Sequence, residues 1–191
     1  MAVFPAVLDA CVLYGIGETD ILLELSGRSL YRPHWSPEIL DEIRRNLLAN
    51  NPRLSAAALD RRFAEMDRAE PGASVIPPPE LVEAMRNDPS DRHVLALAVH
   101  VNAPVVVTHN VGDFPPEICE AHGVEAQTPD VFVGHLVDLS PHSVRESVLA
   151  IVGRRRNAPN TAIDVFSALE PRFPQAFAAL AARCGPPQTW S

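Results

Sequence analysis

At 191 residues the chain is long enough for one ordinary domain and a small appendage, and folding at this size buries roughly 70% of the unfolded chain's surface. Its composition, 47% hydrophobic and 21% charged, excludes a disordered chain, while three widely spaced cysteines exclude a disulfide scaffold and a zinc ribbon and fit a reducing cytoplasm. A net charge of −8 disfavours non-specific wrapping of nucleic acid, although a nuclease whose site is built of carboxylates is compatible with it.

Strand-like and helical patterns alternate along the chain as far as residue 139. Short apolar runs predict strands, namely 3–8, 73–76, 104–108 and 124–127. Serine, threonine and proline mark the helix starts. The expected caps include Thr19, Ser36, Ser55, Ser90 and Thr128. The predicted helices are 19–29, 37–50, 56–69, 79–86, 91–101 and 129–139, together with a short one ending at Gly123, and residues 31–35 are expected to be irregular or briefly extended. This alternation predicts a parallel sheet in an α/β fold.

From Ser140 onward the pattern is helical only. Ser140-Pro141 opens a helix that ends in three consecutive arginines, and two alanine-rich helices follow. We therefore divide the chain into an α/β domain over residues 1–135 and a small helical extension over residues 136–191.

The expected location is the cytoplasm. No segment approaches the roughly 20 apolar residues that a membrane span needs, so a membrane is not an expected partner. The N-terminal residues lack the positive region and the long apolar core of a signal peptide.

Polar residues follow two predicted strands directly. Asp9 ends the first strand, and Thr108-His109-Asn110 ends the later apolar strand, with Asp113 just beyond. Ligands of open parallel sheets bind at the carboxyl ends of the strands, so both positions are candidate sites. For Asp9 a hydrogen bond to a nearby turn is an equally good explanation, and a histidine such as His109 at a strand end is more often structural.

Two helices add inward-facing acids. In the helix that starts at Pro37, Glu42 lies at the edge of the apolar stripe, whereas Asp41 lies nearly opposite it, in solvent. Glu38 is on the same flank as Glu42, but the helix dipole alone explains an acid in the first turn. Asp91 falls on the apolar stripe of its own helix, and an inward carboxylate needs a partner.

Carboxylates that meet at one sheet edge repel one another unless a cation lies among them. Oxygen ligands favour Mg²⁺ or Mn²⁺ over zinc, and such ions support phosphodiester hydrolysis by activating water. The histidines show no HExxH or HxH spacing, and no P-loop, GxGxxG or GxSxG motif is present.

All 16 basic residues are arginines. The cluster Arg154, Arg155 and Arg156 is dense enough to suggest a phosphate or an acidic partner. The dipole of the helix it ends is the simpler explanation, but three consecutive residues spread over roughly 200° of a helix and cannot all cap one end.

Four segments together resemble a PIN domain and, more narrowly, the VapC toxins of VapBC toxin–antitoxin pairs. They are Val7 to Leu13, Glu42 on its helix, Asp91 to Ala98, and Val105 to Phe114. The resemblance covers residues 3 to about 135 and implies a central parallel sheet of four or five strands sandwiched by helices.

The resemblance also implies a function, that of a Mg²⁺- or Mn²⁺-dependent endoribonuclease toxin of a type II toxin–antitoxin system. Its expected partners are RNA (tRNA or ribosomal RNA) and a VapB-like antitoxin, and a homodimer is possible. Asp9 and Asp91 are expected as metal ligands, and Glu42 as a ligand or general base. The family often carries Asp where this chain has Asn110, so Asn110 or Asp113 is expected to complete the site.

Two roles stay open at this point. His109 and the Arg154, Arg155 and Arg156 cluster are candidate contacts for RNA phosphates. Asn110 favours an alternative function, a PIN-like module that has lost robust catalysis and acts by binding a protein partner.

Overall fold

A computed structural model describes residues 3–154 and 161–190 of the chain. Its sheet has four parallel strands in the order β2-β1-β3-β4. The strands are β1 (Pro5–Leu8), β2 (Arg32–His34), β3 (Val105–Val107) and β4 (Glu125–Gln127). The sheet confirms the predicted α/β class and PIN-like architecture. The strand predicted at 73–76 is reduced to a single bridge between Ser74 and Trp35.

Helices cover both faces of the sheet and continue beyond it. They are α1 (Ala10–Leu13), α2 (Ile16–Gly27), α3 (Pro37–Asn50), α4 (Ala56–Ala69), α5 (Pro79–Ala84), α6 (Arg92–His100), α7 (Pro116–Cys119), α8 (Pro129–Leu139), α9 (Pro141–Arg154), α10 (Ala162–Leu169) and α11 (Pro174–Cys184). The hydroxyls of Ser36, Ser55 and Thr128 accept backbone N–H bonds three residues ahead, which confirms these three predicted caps.

Two predicted helix caps are wrong. α2 begins at Ile16 after Gly15, and the Thr19 hydroxyl lies inside the helix, where it donates to the carbonyls of Leu13 at 3.1 Å and Gly15 at 2.9 Å. A threonine hydroxyl can bond back to an earlier carbonyl as readily as it caps, and the sequence does not separate the two uses. Likewise α6 begins at Arg92 with Asp91, not Ser90, at the N-cap position.

The register of the sheet brings two strand ends together. Leu8 of β1 pairs with Val107 of β3, and the Asp9 N–H donates to the Val107 carbonyl at 3.1 Å. Asp9 and Thr108, the residues that follow these two buried strands, therefore lie side by side at the carboxyl edge of the sheet.

The C-terminal helices form an aromatic core of their own. Phe166, Phe173, Phe177 and Trp190 stack or meet edge to face there. α9 and α10 also pack against α2, so the C-terminal helices are joined to the α/β part of the chain. Among the described residues, no helix combines the length and the apolar character that crossing a membrane requires. The division at residues 135/136 remains a prediction.

Candidate active site

Asp9 is buried at the end of β1 and is held from two sides. Its Oδ1 accepts the N–H of Ala10 at 2.6 Å, and its Oδ2 accepts the hydroxyl of Thr108 at 2.7 Å. The first bond belongs to the start of α1, and the second ties β1 to the residue after β3. The carboxylate therefore has one fixed orientation at the edge of the sheet.

The Cys11 thiol packs against the same carboxylate. Its Sγ donates to Asp9 Oδ2 at 3.2 Å and accepts the backbone N–H of His109 at 3.2 Å. Burial, and then the charge of Asp9, raise the pKa of the Cys11 thiol to about 12. Since a thiol is a nucleophile only as its thiolate, Cys11 acts here as a weak hydrogen-bond donor to Asp9.

Glu42 projects from α3 at the border between core and solvent. It is half-buried, whereas 69% of the Asp41 side chain is exposed and faces Arg44, which confirms the predicted phase of the helix. Burial raises the pKa of Glu42, the charges of Asp9 and Asp91 raise it further, and His93 and Arg45 oppose the shift. Glu42 therefore lies within electrostatic reach of both predicted metal ligands.

Asp91 stands at the N-cap position of α6 without capping that helix. Its carboxylate accepts no hydrogen bond from the described helix backbone and instead accepts the Ser90 hydroxyl at 2.9 Å. Burial raises the pKa of Asp91, and the charges of Asp9, Asp113 and Asp88 raise it further, while the Ser90 bond lowers it. The carboxylate is thus left available for a ligand.

Asp9, Glu42 and Asp91 come from three different elements. The charge of Asp9 raises the pKa of both Glu42 and Asp91, and the charge of Asp91 raises that of Glu42, as neighbouring carboxylates do. Their donors are all oxygens, which Mg²⁺ and Mn²⁺ prefer, and a cation would relieve their repulsion. Within residues 3–154 and 161–190, no three His, Cys, Asp or Glu side chains already lie close enough to enclose an ion. The chemistry of this donor set therefore fits a divalent cation.

The loop after β3 contributes a fourth carboxylate. Asn110 is exposed, and its backbone N–H donates to the Thr108 hydroxyl at 3.0 Å. Asp113 is half-buried, and its charge raises the pKa of Asp91. Asp113 is therefore better placed than Asn110 to extend the acidic group.

Asp113→Ala is expected to weaken Mn²⁺ binding about tenfold, since a carboxylate near a metal site stabilises the bound ion directly or through the ligands. Asn110→Asp should change the affinity less, because Asn110 is exposed. Isothermal titration of Mn²⁺ into each purified variant measures both effects. Affinities equal to that of the unaltered chain in both variants would show that this loop stays outside the coordination shell.

The stability of the metal-free protein should report the raised pKa of Asp91. In the folded protein the pKa of this carboxyl is higher than its ordinary value of 3.8, so the proton it binds stabilises the fold at low pH. This stabilisation is lost as the pH rises through the folded-state pKa. Asp91→Asn, which cannot ionise, should therefore gain stability relative to the unaltered chain as the pH rises above about 4. Urea unfolding in EDTA measures the difference, and parallel pH profiles would contradict it.

His109 lies beside a buried acid that the sequence did not indicate. Its Nε2 is 2.9 Å from the Oε1 of Glu18, and Glu18 is only 1% exposed. Arg172, from the connection between α10 and α11, reaches the other oxygen of Glu18 at 3.5 Å. In the sequence, Glu18 is only an acid near a helix start, and nothing indicates that Arg172 approaches it.

His93 is a second residue that sequence reasoning missed. It is buried at the second position of α6, and it lowers the pKa of Glu42. Its Nε2 has no hydrogen-bond partner among the described residues. His93 lies about 200° around the helix from Asp91, so the helical phase that points Asp91 inward does not predict its burial. It is buried because α6 is enclosed on nearly all sides, from His93 to Ala98.

Arg154 turns towards α2, where it pairs with Glu24, and Glu24 also faces Arg28. Arg155 and Arg156, the other two members of the predicted cluster, lie outside the described residues. The RNA contact predicted for this cluster therefore stays a prediction.

A groove of about 1,100 Å³ runs between α2, α3 and α4. Its floor is mainly apolar and includes Tyr14, Leu23, Leu47, Leu54, Leu59 and Met66. Four arginines lie along it, among them Arg154 and Arg172, but Asp9, Glu42 and Asp91 do not. The groove is thus a feature separate from the acidic site.

Comparison with known proteins finds two families along the chain. The PIN domain profile matches residues 5–112, and the VapC50 C-terminal domain profile matches residues 129–182. A protein of Mycobacterium tuberculosis (strain ATCC 25618 / H37Rv) that is named as the ribonuclease VapC50 is 36% identical over 107 residues. These residues are 56% of this chain and 63% of that relative, so the match spans less than two thirds of the relative. No solved structure matches the chain.

Proposed function

Because the chain belongs to the PIN domain family, we propose that it is a VapC-like, metal-dependent endoribonuclease that acts as the toxin of a type II toxin–antitoxin pair. The observation that carries the proposal is the group of Asp9, Glu42 and Asp91. The charge of Asp9, at the carboxyl edge of the sheet, raises the pKa of Glu42 on α3 and of Asp91 at the start of α6, and the repulsion among these carboxylates calls for a cation. The name of the M. tuberculosis relative and the match to its C-terminal domain support the same assignment.

In this proposal Asp9 and Asp91 would hold the divalent ion, and Asp113 would be a further carboxylate that supports it. Mg²⁺ or Mn²⁺, when bound, supplies charge stabilisation for the phosphate and lowers the pKa of water. Asp9 needs no reorientation to bind, since Ala10 and Thr108 already fix its two oxygens. Glu42 accepts the proton of the attacking water, a task suited to a carboxylate whose pKa is raised towards neutrality.

We propose RNA, with tRNA or ribosomal RNA as the expected classes, as the substrate. His109 stands at the rim of the site and donates to an RNA phosphate, and the Arg154, Arg155 and Arg156 cluster is a second contact farther away. An acidic chain needs such positive positions, because its net charge of −8 repels the substrate as a whole.

The proposed protein partner is a VapB-like antitoxin. The groove between α2, α3 and α4 has an apolar floor with both arginines and acids along its sides, which suits the apolar face of a partner helix. A homodimer and a cytoplasmic location remain expectations.

Asn110 favours a second candidate, a PIN-like module with weak catalysis that acts by binding a partner. The family often carries Asp at this position, and here the residue is a neutral, exposed Asn. A single well-formed metal position without a second one would slow hydrolysis while leaving binding surfaces intact.

A metal titration of RNA cleavage separates the two functions. The purified full chain is incubated with labelled total RNA in EDTA and then in increasing MgCl₂ or MnCl₂. The nuclease proposal expects cleavage that rises with metal, disappears in EDTA and is absent from Asp9→Asn. Bound but intact RNA at every metal concentration would instead support the binding module.

A further inference from the structure

Glu18 is a buried acid whose role the proposed nuclease chemistry does not use. It lies in the first turn of α2 and is 1% exposed, and burial raises its pKa while His109 and Arg172 lower it. Burying a carboxylate is costly unless cations and hydrogen bonds compensate it. The two basic side chains that approach Glu18 come from different parts of the chain: His109 follows β3, and Arg172 lies in the connection between α10 and α11.

Arg172 packs against the backbone at the start of α2, where two glycines leave room for ordinary contacts. A side chain at Gly15 would begin 3.6 Å from the Arg172 guanidinium, and one at Gly17 would begin 3.8 Å from Leu169. The backbone of Arg172 is fixed by the bond from its N–H to the Leu169 carbonyl at 2.9 Å. The connection between α10 and α11 thus places the Arg172 guanidinium at the N-terminal end of α2.

Both side chains remain open to solvent although Glu18 is not. The His109 and Arg172 side chains are 42% and 52% exposed. His109 follows Thr108, whose hydroxyl holds Asp9, so the His109 end of the pair adjoins the acidic site, while the Arg172 end lies on the groove between α2, α3 and α4. A guanidinium keeps several N–H donors after one of them is paired, and a protonated imidazole adds one more.

We propose that Arg172 and His109 form a binding subsite for an RNA phosphate beside the scissile one, and that Glu18 is the positioning residue that holds both side chains. The inference rests on the proposed function, because it assumes an RNA chain at the acidic site. Arginine suits phosphate because its planar fork of donors matches two oxygens at once. The C-terminal helices then contribute directly to substrate binding.

A purely structural bridge between the two parts of the chain would use the same three residues. The two roles differ in what they do to RNA. A bridge leaves RNA affinity and its dependence on salt unchanged when it is broken, whereas a phosphate subsite alters both.

The test measures binding of the full chain to a fluorescein-labelled single-stranded RNA of mixed sequence, at several NaCl concentrations in EDTA. Arg172→Gln is expected to lower the slope of log affinity against log salt by about 0.7 and to weaken binding about fourfold near 0.15 M salt. Arg183→Gln is the matched control. Arg183 also lies in the C-terminal helices, is 44% exposed and pairs with Asp138, so its loss should leave the slope unchanged.

Glu18→Gln is the sharper test, because a positioning role and long-range electrostatics predict changes of opposite sign in RNA affinity. Removing a negative charge would tighten RNA binding if only long-range electrostatics mattered. The positioning role predicts the reverse, a weakening comparable to that of Arg172→Gln. In the doubly substituted His109→Gln and Arg172→Gln chain, Glu18→Gln should have no further effect.

Equal or tighter RNA binding by Glu18→Gln, or an unchanged salt slope in Arg172→Gln, would overturn the subsite. Arg172→Lys, which keeps the charge, should recover the slope and serves as a second check if Arg172→Gln folds poorly. The readout does not need cleavage. If the unaltered chain cuts RNA but Arg172→Gln has an unchanged salt slope, only the subsite is wrong. If the variants show the predicted slopes but the unaltered chain never cuts RNA, only the nuclease proposal is wrong.

Discussion

Asp9→Asn and Asp91→Asn are each expected to lower the rate of RNA cleavage by at least about 1,000-fold while the chain remains folded. Each substitution removes a charge from the proposed metal site but keeps the shape of the side chain. Metal-free stability should hold or rise, because one of several mutually repelling carboxylates is gone. The measurement is the initial rate of cleavage in saturating Mn²⁺, with thermal unfolding in EDTA alongside.

Asp88→Asn is the control for this result. Asp88 is fully exposed in the loop that precedes α6, and its carboxylate accepts the Ser90 hydroxyl at 2.6 Å. Its loss should leave cleavage close to that of the unaltered chain. Cleavage at an unaltered rate by either Asp9→Asn or Asp91→Asn would show that the proposed metal site is wrong.

Glu42→Gln is expected to lower the turnover number by about 100-fold or more, since removal of a general base typically costs that much. Asp41→Ala, one residue away, should be nearly silent. The two acids share a helix and differ in direction: Glu42 is half-buried beside Asp9 and Asp91, and Asp41 faces solvent near Arg44.

Steady-state kinetics on one RNA substrate separates these two variants. Glu42→Gln should act on the turnover number with little change in KM, because Glu42 is proposed to act on the water and not on RNA binding. Equal losses of turnover number in Glu42→Gln and Asp41→Ala would mean that Glu42 is not the general base.

Most of the sheet could be predicted because its strands are short runs of buried apolar residues. The run before Asp9 and the run before Thr108 have no helical period, and serine or threonine marks the next helix in several places. β2 was expected only as a briefly extended segment, since it contains Pro33 and spans three residues. The prediction of a strand at 73–76 is wrong, because this segment pairs only through Ser74 with Trp35, the residue that follows β2.

The residues of the candidate site likewise fall into those that a local sequence pattern predicts and those that it does not. Helical phase places Glu42 and Asp91 on their inner faces, and strand order places Asp9 at the sheet edge, so the electrostatic influence of these carboxylates on one another could be anticipated. Glu18 and Arg172 could not be paired from the sequence, because 154 positions separate them and no local pattern records a contact of that kind. Tertiary packing alone brings them together.

The Cys11 thiol, wedged between Asp9 and the backbone of His109, sets how the site responds to electrophiles and oxidants. With its pKa at about 12, only about one molecule in 100,000 carries the reactive thiolate at neutral pH. Peroxide and maleimide reagents should therefore spare it, although it touches a proposed metal ligand. Cys184, the other partly exposed cysteine, is the position at which a fluorescent label can be attached without disturbing the acidic edge of the sheet.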